Sequence, residues 1–213
     1  MTKRERSRCK IVTTDQYNYS SDAAAVIDSG GIVAIPTETS YGLAVDPFND
    51  QALKLLFTIK QRPSSKPVLV LIDGIERLPQ LISEIPAIYK PLMQRFWPGP
   101  LTLIFPARPT LSSLLTAGTG TVGIRISSNQ AATAICRSSG GAITATSANI
   151  SGEQPARTVT ELISSLQQSI DLIVDGGALD RVPPSTVLNY RDDRLLLVRE
   201  GSISSEDITN LPS

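Results

Sequence analysis

The 213-residue chain contains no histidine. Because imidazole is the usual side-chain base near neutral pH, this absence excludes histidine-based catalytic triads and imidazole metal sites. Only two cysteines are present, Cys9 and Cys136, far apart and without a partner pattern, so neither a disulfide framework nor a zinc site is expected. The sequence also lacks a P-loop, a dinucleotide-binding glycine fingerprint and a tight carboxylate cluster. A chemistry that depends on a strong side-chain base or nucleophile is therefore hard to build from these residues.

Long apolar runs and an excess of one charge are absent as well. No run approaches the roughly 20 residues that are needed to cross a bilayer, so no membrane association is expected. The chain carries 20 Lys and Arg against 20 Asp and Glu, and a protein that clamps nucleic acid over a wide face normally has excess positive charge. Any RNA contact would have to be local. The basic N-terminus has no apolar stretch behind it, unlike a secretory signal, and we expect a cytoplasmic location.

Apolar residues, at 41%, suffice for one packed domain. Strand-like runs such as GIVAIP and PVLVLI alternate with helix-like segments such as ALKLLFTIK, which Asp50 is placed to cap. This alternation predicts an α/β domain in which helices cover a sheet. Because several strands follow one another directly, near residues 101–127 and 185–200, we expect a mixed rather than a purely parallel sheet. GAITATS, residues 141–147, is predicted to be a further strand.

Polar residues gather where the predicted strands end, which is where ligands bind in α/β folds. In PTETSYGL, Thr37 and Thr39 offer hydroxyl groups; the alternative is a polar turn with Tyr41 packed on the core. In ATSANISG, Ser147 and Asn149 are two residues apart and would share one side of an extended backbone. These small polar groups suit a phosphate or a carboxylate, and the alternative is an ordinary Asn/Ser/Gly turn.

Three cations follow a predicted helix within seven residues: Lys60, Arg62 and Lys66. Arg62 precedes Pro63, which disfavours helical geometry and turns the chain away. The three side chains would then form a clamp for phosphate oxygens; the alternative is a helix C-terminus that attracts cations through its dipole. Arg125, alone inside an apolar strand, is expected to be paired or functional if it is buried.

The series PTETSYGL, KQRPSSKPVLVLI, FWPGPLTLIFPA, TVGIRIS, ATSANISG, DLIVDGG, STV and LLLVREGSI resembles the YrdC family from one end to the other. The resemblance covers about residues 20–203 and implies a YrdC-like fold, a twisted mixed open sheet flanked by helices with a concave ligand cleft. It leaves residues 1–19 as a basic N-terminal tail, either solvated or an arm for tRNA, and residues 204–213 as a C-terminal tail.

The resemblance also implies a function. Members are threonylcarbamoyl-AMP synthases, which condense L-threonine, bicarbonate and ATP, with Mg²⁺, to threonylcarbamoyl-AMP and pyrophosphate. Partner proteins then transfer the threonylcarbamoyl group to adenosine 37 of tRNA. The carbamate formed from threonine and bicarbonate is itself the nucleophile, so no imidazole base is required.

Site residues are implied by matching positions. The family's catalytic tetrad falls on Lys60, Arg62, Ser147 and Asn149, which would hold ATP together with Thr121 and Arg199. The threonine pocket falls on Thr37, Lys66, Arg125 and Ser185, and no protein metal ligand is expected. RISSNQ and VPPSTV depart from the common family pattern near Arg125 and Ser185. These departures keep a second hypothesis open, a diverged non-catalytic relative that binds RNA or a partner.

Overall fold

A computed structural model describes residues 9–63, 65–166 and 169–210 of the chain. The strands of this part are β1 (Lys10–Thr13), β2 (Val33–Pro36), β3 (Tyr41–Ala44), β4 (Val70–Ile72), β5 (Leu101–Pro106), β6 (Thr121–Arg125), β7 (Ala142–Thr144), β8 (Thr146–Ser147), β9 (Leu172–Asp175), β10 (Thr186–Arg191) and β11 (Arg194–Arg199). The helices are α1 (Tyr19–Asp28), α2 (Asp50–Lys60), α3 (Leu78–Leu81), α4 (Tyr89–Phe96), α5 (Ser113–Thr116), α6 (Gln130–Ser138), α7 (Val159–Leu166) and α8 (Ser205–Thr209). The predicted mixed α/β class is confirmed.

These strands are divided between two sheets. The first has the order β1-β9-β2-β3-β8, in which β9 is parallel to both neighbours and β3 is antiparallel to both of its own. The second has the order β11-β10-β5-β6-β4-β7, in which β10 is parallel to β5 and β4 to β6. The remaining pairs of the second sheet are antiparallel. Both sheets are therefore mixed, as the direct succession of strands predicted.

The predicted strand GAITATS connects the two sheets instead of staying in one. β7 pairs with β4 of the second sheet, whereas β8 pairs with β3 of the first. At the crossing, the Thr144 amide donates to the Val45 carbonyl at 2.9 Å and the Ala145 amide donates to the Leu69 carbonyl at 2.9 Å. The edges of the two sheets are thereby held together, and the polar residues after β8 follow directly.

Helices cover both sheets through separate apolar clusters. Ile27 of α1 and Ile135 of α6 pack with strand residues of the first sheet such as Val174. Leu56 of α2 packs with residues of the second sheet such as Leu103. Burial of these apolar side chains, each worth about 1.5–3 kcal/mol, fixes the sheets and hence the loops at their ends.

Three predictions about where elements begin or end differ from the structure: the N-cap of α2, the N-terminal tail and the C-terminal tail. The α2 N-cap is Asn49 rather than Asp50: Asn49 has the extended backbone that a cap requires, and its Oδ1 accepts from Gln51 N at 3.0 Å and Ala52 N at 3.1 Å. The N-terminal tail prediction is wrong for residues 10–13, which form β1 parallel to β9. Residues 1–8 lie outside the described part.

The predicted C-terminal tail also contains regular structure. Helix α8 begins with a capping box in which the Ser204 hydroxyl and the Asp207 carboxylate satisfy each other's backbone amides. Ile208 of this helix is buried. The tail prediction is therefore wrong for residues 204–209, because one buried apolar contact and a strong cap hold the last turn on the domain. Residues 211–213 are outside the described part.

Candidate functional site

A cavity of about 470 Å³ lies where the two sheets meet. Its wall is built by the β2–β3 loop, the segment after α2, strands β5 and β6, the segment after β8, and the facing ends of β10 and β11. The residues of the sequence-predicted site that line it are Thr37, Arg62, Thr121, Arg125, Ser147, Asn149, Ser185 and Arg199. Segments from opposite ends of the chain thus meet in one pocket, and of the predicted set only Lys60 and Lys66 are outside its lining.

Lys60 ends helix α2 and points inward, where it is 1% exposed. Its ammonium group donates to the carbonyl oxygens of Ser147 and of Asn149, the latter at 2.9 Å, and to Asn149 Oδ1 at 3.3 Å. Burial, and to a lesser degree the charge of Arg62, lower the pKa of Lys60 to about 8. Lys60 therefore supports the segment after β8 from behind the cavity wall.

Arg62 is the one member of the expected cation clamp that reaches the cavity within the described residues. Gln61 adopts a left-handed conformation and ends the helix, and the Arg62 guanidinium then donates to the Lys66 carbonyl at 3.2 Å and to the Pro67 carbonyl at 2.8 Å. The Lys66 side chain is exposed. The predicted clamp geometry is wrong, because Lys60 turns inward and Lys66 contributes a backbone carbonyl to Arg62.

Ser147 and Asn149 meet on the cavity wall, on one side of the backbone as predicted. The Ser147 hydroxyl donates to Asn149 Oδ1 at 2.6 Å, and Asn149 Nδ2 donates to the carbonyls of Ile150 and Glu153 at 2.9 and 2.7 Å. With Lys60 behind them, these bonds hold the turn after β8 in one conformation. Such preorganisation lowers the cost of ligand binding.

Thr37 lies on the first-sheet side of the cavity, in the loop between β2 and β3. Its hydroxyl donates to the Ser40 carbonyl at 2.6 Å and lies 3.2 Å from that of Thr39. Arg157 donates to the carbonyls of Thr39 at 3.5 Å and of Val182 at 3.1 Å, and so connects this loop to the segment before Ser185. Tyr41 is buried and donates to Gly177 O at 2.8 Å. The alternative that Tyr41 packs in the core is therefore correct, and Thr37 and Thr39 line the cavity.

Arg125 ends strand β6 and is 3% exposed, with Nη1 3.2 Å from Glu38 Oε1. The Ser127 hydroxyl donates to the other carboxylate oxygen of Glu38. Burial, reinforced by Arg199, lowers the pKa of Arg125, whereas Glu38 raises it. Sequence reasoning missed Glu38, although a buried arginine requires a partner and the only acidic residue of PTETSYGL was available for that role.

Ser185 and Arg199 lie together where β10 and β11 meet. Arg199 donates through Nε and Nη2 to the Ser185 carbonyl, at 3.0 and 2.8 Å, and through Nη2 to the Ser185 hydroxyl at 3.0 Å. The same hydroxyl lies 3.0 Å from Thr102 Oγ1 on β5. Thr121, at the start of β6, has its hydroxyl 2.8 Å from Thr119 Oγ1. Thr102 is a second residue that sequence reasoning missed.

The arrangement is suited to binding anions in defined orientations. Three guanidinium groups, of Arg62, Arg125 and Arg199, meet small hydroxyl and amide groups on one cavity, and Glu153 is the only carboxylate residue among the described lining. Arginine binds phosphates and carboxylates in a bidentate manner. The fold and this site define an α/β domain with a pocket rich in arginine and hydroxyl groups between two mixed sheets.

The chain matches the Sua5/YciO/YrdC family model, described as "Telomere recombination", over residues 25–201. It therefore belongs to this family, as the motif series in the sequence predicted. The chain is 42% identical over 189 residues to a threonylcarbamoyl-AMP synthase of Bacillus subtilis (strain 168), covering 88% of this chain and 55% of that protein. It is 38% identical over 171 residues to a threonylcarbamoyl-AMP synthase of Idiomarina loihiensis, covering 76% of this chain and 92% of that protein.

Solved structures show the same fold. P. abyssi Sua5 in complex with L-threonine superposes with a TM-score of 0.90 at 32% identity, covering 96% of this chain and 61% of that one. E. coli YciO superposes with a TM-score of 0.81 at 25% identity, covering 92% and 96%. The chain thus spans a little over half the length of the B. subtilis relative and about three fifths of P. abyssi Sua5.

Proposed function

We propose that this chain is an L-threonylcarbamoyladenylate synthase, which condenses L-threonine, bicarbonate and ATP to threonylcarbamoyl-AMP and pyrophosphate. The observation that carries the proposal is the convergence of Arg62, Arg125 and Arg199 with small hydroxyl groups on one cavity. Two relatives named threonylcarbamoyl-AMP synthase and a neighbour whose structure contains L-threonine support it. The product would serve tRNA modification at adenosine 37, through separate transfer proteins.

The chemistry requires stabilisation of phosphate charge rather than a strong base. The threonine amine and bicarbonate form an N–C bond with loss of water, which gives a carbamate. An oxygen of this carbamate group attacks the α-phosphorus of ATP, a new P–O bond forms, and the bond to the β-phosphate breaks to release pyrophosphate. Negative charge grows on the phosphate oxygens, where a preorganised donor is worth about 2.7–4 kcal/mol. Arg62, with Ser147 and Asn149 beside it, supplies such donors, and Lys60 holds the backbone of Ser147 and Asn149 in place. Arg199 and Thr121 complete the nucleotide side.

The amino acid would bind at the part of the cavity that Arg125, Thr37 and Ser185 line. Arg125 suits the threonine carboxylate because a guanidinium binds a carboxylate through two parallel hydrogen bonds. The hydroxyls of Thr37 and Ser185 face the same cavity and suit the polar groups of threonine. Holding the two reactants in one pocket contributes several kcal/mol through proximity alone. Lys66 is assigned no direct contact, because its side chain is exposed and outside the lining.

Magnesium would enter with the nucleotide. Among the described residues no group of three or more Cys, Asp or Glu side chains is placed to hold a metal ion. Mg²⁺ commonly binds through substrate phosphates with one or two carboxylates, and Glu153 on the cavity wall fits that limited role. The ion would neutralise charge on the leaving pyrophosphate.

The described helices include none that is long and apolar enough to traverse a bilayer.

Pyrophosphate release tests the proposal directly. The protein is mixed with MgATP, with and without L-threonine and bicarbonate, and release should require all three. Arg62→Ala should abolish most of it, whereas Arg137→Ala, at an exposed position outside the lining, should not. Pyrophosphate release that is independent of threonine or bicarbonate would refute the synthase and leave the RNA- or partner-binding hypothesis.

A further inference from the structure

Glu38 makes contacts that the binding roles assigned so far leave unexplained. It lies between Thr37 and Thr39, close to the cavity, yet its carboxylate points to the protein. One oxygen faces Arg125 Nη1 at 3.2 Å, and the other accepts from the Ser127 hydroxyl. Ser127 is 3% exposed and its oxygen also accepts from the Asn129 amide at 3.2 Å. One carboxylate oxygen is thus held by a hydrogen bond and the other lies in an ion-pair contact.

Arg125 remains incompletely paired in spite of this contact. Its Nε is fully buried and has no hydrogen-bond partner among the described residues, and its Nη1 contact with Glu38 is an ion pair without the geometry of a hydrogen bond. A buried donor without a partner costs about 1–3 kcal/mol. The terminal nitrogens of Arg125, which are not among the fully buried unpaired atoms, keep donor capacity for a ligand in the cavity that this residue lines.

We propose that Glu38 is a positioning residue, which together with Ser127 holds the Arg125 guanidinium in the orientation that receives the carboxylate of the amino-acid substrate. The identity of that substrate as threonine rests on the proposed function. Arg125 is attached to the wall by a flexible side chain, and a 1 Å displacement of such a group can cost about a hundredfold in rate. The Glu38 carboxylate, held by Ser127 and paired with Arg125, favours the Arg125 rotamer that the structure shows. Glu38 itself touches no substrate in this arrangement.

Electrostatics alone predicts that removal of the Glu38 charge strengthens binding of the substrate carboxylate, which is the opposite of what a positioning role predicts. Glu38 is the only carboxylate in direct contact with Arg125 within the described residues, whereas Arg199 adds positive charge nearby. Replacement of Glu38 by a neutral residue would make the pocket more positive and so strengthen binding of an anionic carboxylate. If Glu38 acts by positioning, the same replacement weakens that binding. The sign of the change therefore separates the two effects.

The test compares Glu38→Gln, which keeps the length and loses the charge, with Ser127→Ala, which keeps both charges and frees the carboxylate. Binding of L-threonine and of L-threoninamide, which lacks the carboxylate, is measured by calorimetry. Glu38→Gln should weaken L-threonine binding at least about tenfold and leave threoninamide binding within about twofold. Ser127→Ala should weaken it about threefold in the same selective way. Asp73→Asn is the matched control, because the buried Asp73 carboxylate forms an ion pair with the partly exposed Arg77 outside the cavity.

The orientation of the Arg125 guanidinium can also be measured without any substrate. In ¹⁵N-labelled protein, the Arg125 Nε–H resonance, assigned by its loss in Arg125→Lys, should be protected from solvent exchange. It should exchange faster in Glu38→Gln and Ser127→Ala, and not in Asp73→Asn. Tighter or unchanged threonine binding in both variants, or an unchanged resonance, would overturn the proposal. If Glu38→Gln does not fold, Ser127→Ala decides. If the wild type binds no threonine, the proposed function fails, while the resonance still decides the role of Glu38.

Discussion

The two ends of the cavity hold their buried cations by different means. At the lysine end, formed by Lys60, Arg62, Ser147 and Asn149, the buried ammonium contacts carbonyl and amide oxygens and no carboxylate among the described residues. At the arginine end, formed by Glu38, Arg125 and Ser185, the buried Arg125 guanidinium contacts a carboxylate at 3.2 Å. Neutral oxygens satisfy hydrogen bonds without cancelling charge, whereas an ion pair cancels charge and adds direction.

This difference matches the two kinds of anion that the proposed reaction brings together. A polyphosphate needs net positive potential spread over several oxygens, and at the lysine end no carboxylate cancels the charges of Lys60 and Arg62 among the described residues. A single carboxylate needs one correctly oriented guanidinium, and the arginine end provides Arg125. The two ends also differ in the energetic cost of burying the cation. Because Lys60 is desolvated and has no carboxylate beside it among the described residues, its pKa is lowered to about 8. Four variants test the comparison, in order of decreasing expected effect.

Lys60→Ala should have the largest effect, because it removes packing and leaves the Ser147 and Asn149 oxygens without their donor. We expect a loss of about 2–5 kcal/mol in the free energy of unfolding, together with loss of pyrophosphate release. Urea denaturation measures the first quantity. Lys54→Ala, at an exposed position of the same helix, is the control. A variant as stable as wild type would show that the neutral contacts of Lys60 contribute nothing to the fold.

Arg62→Ala should affect activity and not stability, since Arg62 is partly exposed on the cavity wall. Loss of one charge-stabilising donor should raise the activation barrier by about 2–4 kcal/mol. The ratio kcat/KM for ATP, measured by pyrophosphate release, checks this, and thermal unfolding checks the fold. Arg62→Lys should recover part of the activity, because it keeps the charge and loses the fork. If Arg62→Ala lowers the free energy of unfolding as much as it raises the activation barrier, Lys60 and Arg62 do not divide stability and catalysis between them.

The pKa of Lys60 makes the lysine end sensitive to pH. The folded pKa, about 8, lies below the unfolded value of about 10.4, so the unfolded chain binds more protons between these values. The contribution of Lys60 to stability therefore rises with pH through this window, by about 1–3 kcal/mol. The free energy of unfolding at pH 7.5 and pH 10, compared between wild type and Lys60→Met, isolates it. An identical pH dependence in both proteins would contradict the lowered pKa.

Ser185→Ala should have the smallest effect and be confined to the arginine end. The hydroxyl lies 3.0 Å from both Arg199 Nη2 and Thr102 Oγ1, and its loss should weaken threonine binding by about 1 kcal/mol. ATP affinity should change less, because Arg199 keeps its bonds to the Ser185 carbonyl. Calorimetry with each ligand measures both. Thr102→Ser, which retains the hydroxyl, is the control, and an equal loss of ATP affinity would refute this division of the cavity.

Local sequence is sufficient for many of the elements, although not for β1 and α8, and for several of the cavity residues. It predicts a helix over ALKLLFTIK, where the structure has α2 (Asp50–Lys60), because helix propensity and apolar spacing act over a few residues. Arg125 is expected to be paired or functional if buried, since a charged side chain is seldom buried in an apolar strand without a partner. Ser147 and Asn149 are expected on one side of the chain, because the spacing of two residues determines their direction.

The partners of these residues could not be predicted in the same way. The donor and acceptors of Lys60 are 87 and 89 residues apart, and Glu38 and Ser127 are separated by 89 residues. A clamp of Lys60, Arg62 and Lys66 is a reasonable local prediction, but the turn at Gln61 directs one cation inward and another outward. The division of GAITATS between two sheets is equally invisible in the sequence, since both halves have the same strand pattern.

The sequence by itself therefore determined the family, the mixed α/β class and which polar residues end the strands, because these depend on residue type, order and short-range spacing. The tertiary structure alone decided that Lys60 supports the wall instead of lining it, that Lys66 lies outside the cavity, and that Glu38 faces Arg125. Such choices follow from the packing of two sheets against each other, where segments far apart in the chain compete for the same hydrogen-bonding groups. No local pattern determines which of them meet.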